Sequence, residues 1–121
     1  MVACLGLNSP AFMPLWRPED ADGLLPPATI HGVSMIEVPL LNPRSFDSLG
    51  IRRAAEHNGV VVVCSLSLPE TMGHTANTSD VMAFLDAELQ ASLEGGSNRL
   101  SSVSYGTIGK VSGQPPNDFG P

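Results

Sequence analysis

Residues Val60 to Val63 are four valines in a row, and the apolar run continues through Cys64 to Leu68. Consecutive β-branched residues favour an extended backbone, because their two Cβ substituents restrict χ1 against a helical turn. A run that is continuous, not alternating, reads as a strand covered on both faces, as in a parallel sheet flanked by helices. Three further runs have strand character: Val2–Leu7, Val33–Val38, and Arg99 to about Ile108. Helical patterns separate them, so the order is β-α-β-α-β-α-β. Such alternation implies parallel strands joined by crossover helices. The expected fold class is therefore α/β, with about four parallel strands and three crossover helices.

The three helices differ in quality. The third has Ser79 as its expected cap and Asp80 at the positive dipole end. Val81, Phe84, Leu85, Leu89 and Leu93 form its apolar stripe, and Gly95-Gly96 its stop. The second runs from about Asp47 to His57, with Leu49, Ile51, Ala54 and Ala55 apolar and Asn58-Gly59 as a left-handed stop. The first is weak. Pro18, Glu19 and Asp20 suit its start, but Gly23 loosens it, and Pro26-Pro27 is expected to break it after at most two turns, leaving Ala28–Gly32 with little regular structure. Residues 1–112 read as the folded unit. The stretch 113–121 has no periodicity and is expected to be a disordered tail.

Charge and composition exclude several function classes. With 6 Lys+Arg against 12 Asp+Glu, the net charge is −6. Counterion release on a nucleic acid needs clustered cations, and Arg52-Arg53 is the only basic pair. The same balance disfavours an anionic membrane surface. No apolar run approaches the roughly 20 residues of a bilayer span, and the uncharged start lacks the basic residues of a signal segment. Cys4 and Cys64 lie within apolar runs, as buried reduced cysteines of a cytoplasmic protein do.

Three stretches carry a resemblance. They are Gly32-Val-Ser-Met-Ile-Glu-Val-Pro-Leu-Leu-Asn-Pro43, His57-Asn-Gly-Val-Val-Val-Val-Cys-Ser-Leu-Ser-Leu-Pro69 and Ser102-Val-Ser-Tyr-Gly-Thr-Ile-Gly-Lys110. Each spans a strand end and the start of its loop. Together, over about residues 3 to 116, the chain resembles the amino-terminal half of a sugar isomerase/epimerase of the xylose-isomerase-like barrel superfamily. The nearest subgroup is the ketose 3-epimerases acting on psicose, tagatose or ribulose. The resemblance implies a partial (β/α)8 barrel, since a whole one takes about 250 residues. It also implies a ketose substrate and a divalent metal, manganese or cobalt, held by two glutamates, an aspartate and a histidine on the later strands. Those strands are outside this sequence, so no metal ligand or catalytic residue is expected within it.

The resemblance leaves this half a share of the pocket wall. Asn8, Phe12 and Trp16 fall in or after the first strand, Glu37 near the end of the second, and Tyr105 at the fourth. It implies that Phe12 or Trp16 packs on the apolar face of the sugar and that Glu37 lies near the metal site. Tyr105 and, on the loop after the third strand, His74 are candidates for contacts with sugar hydroxyls. Two departures stand out: Ser67 where the family usually has glycine, and the broken first helix. Other motifs lead nowhere. The three histidines and two cysteines match no metal-ligand spacing. Gly106-Thr-Ile-Gly-Lys110 lacks both the spacing and the following Ser/Thr of a phosphate loop. Asn77-Thr-Ser79 is a formal glycosylation sequon, and no Ser/His/Asp elbow is present.

Four strands cut from a closed barrel leave two open edges and a bare inward face. The expected outcomes are pairing with a second copy, pairing with a separate complementary half-barrel, or a marginal chain without selected function. The alternative to an epimerase fragment is a non-catalytic module that binds sugar, or assembles through its open edges.

Overall fold

The computed structural model describes residues 3–9, 16–72 and 77–103. In chain order the elements are β1 (Leu5–Asn8), α1 (Ala21–Ile30), β2 (Val33–Leu40), α2 (Ser48–Asn58), β3 (Val61–Ser67), α3 (Thr78–Glu94) and β4 (Leu100–Val103). Single 3-10 turns at Pro18–Asp20 and Glu70–Met72 lead into α1 and follow β3. The four strands form one parallel sheet in the order β1-β2-β3-β4. This is the expected βα alternation, and the architecture is that of part of a (β/α)8 barrel. The expected tail at 113–121 lies outside the described residues.

All three helices cover one face of the sheet. Ile36, Val38 and Leu40 of β2 and Val62, Cys64 and Leu66 of β3 point to that face and are buried. Leu25 of α1, Ile51 and Ala55 of α2 and Ala91 of α3 close the core over them. The intervening residues of the same strands point to the other face, since side chains alternate along a strand. There Val61 is 55% exposed, and Met35, Glu37, Pro39 and Val63 are half-buried. The expectation of a strand covered on both faces is thus corrected: β3 is covered on one. Pro39 fits because the pairing of β2 with β1 ends at Glu37.

Two helix expectations need correction, and one cap moves. Pro26 and Pro27 lie inside α1, which runs on to Ile30. The helix survives its lost backbone bonds because Ala21 and Leu25 are almost wholly buried against the sheet, and the Thr29 hydroxyl donates to the Pro26 carbonyl at 2.9 Å. On α3 the buried positions are Glu88, Ala91 and Ser92, while Leu89 and Leu93 of the expected stripe are about half exposed. The helix begins two residues early because the Asn77 side chain, not Ser79, accepts the capping bond from the Ser79 N–H at 2.9 Å. The second helix ends as expected, with Gly59 at φ +67°. Ser48 on α2 donates to the Ala91 carbonyl at 2.9 Å and ties α2 to α3. Cys64 is buried, but Cys4 is exposed, and both are free thiols.

Candidate functional site

Register places two of the site candidates, Asn8 and Glu37, on the uncovered face. Asn8, the last residue of β1, pairs with Glu37, and Glu37 pairs with Val63. Paired residues on neighbouring strands are about 4.8 Å apart and share a face. Asn8 and Glu37 therefore stand side by side, Asn8 exposed and Glu37 half-buried. One step along, Pro39 pairs with Ser65 and Ser65 with Ser101, and Ser67 ends β3 opposite Val103. A polar strip of Asn8, Glu37, Ser65 and Ser67 thus runs toward the carboxyl ends of the strands. That is the end at which sites of parallel α/β barrels are built. Glu37 sits three residues before the end of β2, level with the end of the shorter β1. Neither ion pair among the described residues, Arg17–Asp20 or Arg52–Glu56, involves it.

The chemistry of this strip is hydrogen bonding. A carboxylate, an amide and two hydroxyls offer both donors and acceptors, as a polyhydroxylated ligand requires. Trp16 lies elsewhere: it packs against the helix-side core, and its buried Nε1–H has no acceptor. Phe12, His74 and Tyr105 lie outside the described residues. Among the described residues, no three His, Cys, Asp or Glu side chains come together as a metal site. The described residues by themselves therefore do not fit the divalent metal that the resemblance implies.

Two features escape sequence reasoning. The first is a cleft of about 670 Å³ on the helix side, between the loops that follow β2 and β3, with Arg44, Met72, Asp80 and Phe84 among its walls. Loop placement decides such a cleft, and no motif announces it. The second is Glu88, which is 0% exposed with neither carboxylate oxygen bonded. Burial pushes its carboxyl up to about 7. Cys64 lies near it on β3, and burial pushes that thiol up too, opposed by hydrogen bonds to Ser92 and Ser97 and reinforced by the charge of Glu88. Only the position of Glu88 between Phe84 and Ala91 on the inner side of α3 hints at its burial.

A parallel sheet with helices on one face and a polar strip on the other is the layout of an opened (β/α)8 barrel. Solved structures similar to it include ketose 3-epimerases. D-allulose 3-epimerase from Methylomonas sp., in complex with D-allulose, superposes with a TM-score of 0.75 at 21% identity, covering 90% of this chain and 39% of that one. An L-ribulose 3-epimerase gives 0.75 at 18% identity, covering 97% and 41%. A D-psicose 3-epimerase, in the presence of D-fructose, gives 0.70 at 15% identity, covering 93% and 41%. The chain spans about two fifths of each. No protein-family model and no curated protein matches it. Among the described residues no helix is long and apolar enough to cross a membrane.

Proposed function

We propose that this chain is the amino-terminal half of a ketose 3-epimerase-type barrel and supplies wall, not machinery, to a sugar pocket. The observation that carries this reading is the polar strip at the strand ends, on a fold shared with enzymes of which it covers about two fifths. In this reading Asn8 and Glu37 bind and orient ketose hydroxyls, and Ser65 and Ser67 line the rim. The manganese or cobalt ion and the carboxylates that move the C3 proton belong to the other half of the barrel. The setting is cytoplasmic, in keeping with free thiols at Cys4 and Cys64.

Proton abstraction next to a carbonyl needs a positioned base and stabilisation of the developing oxyanion. Glu37 is the one described carboxylate on the open face, and one carboxylate cannot both remove and return a proton on opposite faces of C3. The purified chain with Mn²⁺ or Co²⁺ is therefore expected to leave D-allulose and D-fructose unconverted. Metal-dependent interconversion by the chain alone would contradict the proposal.

A further inference from the structure

We infer that α3 is a proton-operated cover: a neutral Glu88 seats its second half on β3, and loss of that proton unseats it and bares the Cys64 thiol beneath. Among the described residues Glu88 is the one buried acid, at 0% exposure, and neither of its carboxylate oxygens has a partner. A carboxylate taken out of water without a counter-ion is costly, so the group stays protonated or the structure around it opens to solvent. Cys64, also at 0% exposure, lies near it on β3 and is a free thiol.

Among the described residues no cation compensates the acid. β3 brings Cys64, whose thiol is hydrogen-bonded to Ser92 and Ser97 and whose own ionisation the Glu88 charge opposes. α2 brings Ser48, which donates to the Ala91 carbonyl at 2.9 Å, and Ile51, beside Gly95. Arg52 lays its aliphatic stem near Gly96, while its Nε–H donates to Glu56 at 2.9 Å. Arg53 and His57 of α2 are exposed, as are Asp80, Asp86 and Glu94 of α3 itself. From β4, Leu100 packs on the core, and Arg99 before it is exposed.

The second half of α3 is lightly held. Its buried side chains are Glu88, Ala91 and Ser92, so a single methyl group is the buried hydrocarbon that anchors it. The first half keeps Val81, Phe84 and Leu85 half-buried, and α1 and α2 are anchored by Leu25 and Ile51, each at most 1% exposed. A segment with few buried apolar contacts opens locally, ahead of global unfolding. Gly95 and Gly96 follow it directly, Gly96 at φ +81°, and supply the pivot.

Labelling of the full chain with a pyridyl disulfide tests this, in a Cys4→Ser background that leaves Cys64 as the only thiol. Dividing by the rate for the urea-unfolded chain at the same pH removes the thiol's own titration and leaves the protection given by the fold. That protection is expected to fall about 300-fold, tenfold for each pH unit from 4.5 to about 7, and to stay constant above. It is expected to be smaller than the protection that global unfolding in urea melts would give, and unmoved by low urea, as a local opening requires. Glu88→Gln is expected to hold protection constant across this range, and Glu88→Met repeats the test if the glutamine variant does not fold. Protection independent of pH with Glu88 present, a fall that persists in a folded Glu88 variant, or labelling that tracks global unfolding would overturn the inference.

Discussion

Replacing Glu88 by methionine is expected to stabilise the fold by about 3 kcal/mol at pH 8, the free-energy equivalent of moving a carboxyl from its ordinary value to about 7. A carboxyl of raised pKa adds no ionisation cost while it is protonated in both folded and unfolded states. Below about pH 4.5 its burial therefore carries no ionisation penalty. As pH rises from there to about 7 the unfolded chain ionises first and stability falls, and above 7 the loss levels off. The thiol of Cys64, itself held neutral by burial, offers no counter-charge. Arg52, on the neighbouring helix, is engaged with Glu56 at 2.9 Å. Urea melts of wild type and Glu88→Met across pH 4.5 to 8 would check this. The two should converge near pH 4.5 and separate as pH rises to about 7, with the gap constant above it. A wild type as stable at pH 8 as at pH 5 would mean that its carboxylate has a partner.

Leu25→Ala is expected to cost about 3 kcal/mol, within the range for truncating a fully buried leucine, and to release α1 before the rest of the fold. A proline in a helix interior costs about 3 kcal/mol relative to alanine, and α1 holds two of them. Its register is kept by Leu25, which is 0% exposed, and Ala21, 1% exposed. Hydrogen exchange should show α1 amides losing protection in the variant while β2 and β3 keep theirs. Uniform loss across the sheet would place Leu25 in the common core instead of in a local anchor.

These two residues also show where sequence reasoning stops. The βα order, the stop at Gly59 and the placement of Asn8 and Glu37 on strands follow from local chemistry: β-branched runs, turn residues and dipole-compatible charges. The continuation of α1 through Pro26 and Pro27 does not, because tertiary burial of Leu25 outweighs propensity. The burial of Glu88, Ala91 and Ser92 in place of Leu89 and Leu93 shifts the buried face in the second half of α3, while Val81, Phe84 and Leu85 stay partly buried, and periodicity alone cannot distinguish two adjacent faces of the helix. Val61 looked doubly covered because a valine run reads the same in a closed barrel as in an opened one. The polar strip was legible only in part. Glu37 and Asn8 stood out by resemblance, whereas Ser65 and Ser67 joined them only once the register was known.

The half-barrel account rests on the open face being a ligand surface, and backbone amide shifts recorded during titration with D-allulose or D-fructose test that most directly. Saturable shifts at Asn8, Glu37, Ser65 and Ser67, reduced in Glu37→Gln, are predicted. Shifts confined to the cleft around Arg44 and Phe84, or a binding curve untouched by Glu37→Gln, would contradict it.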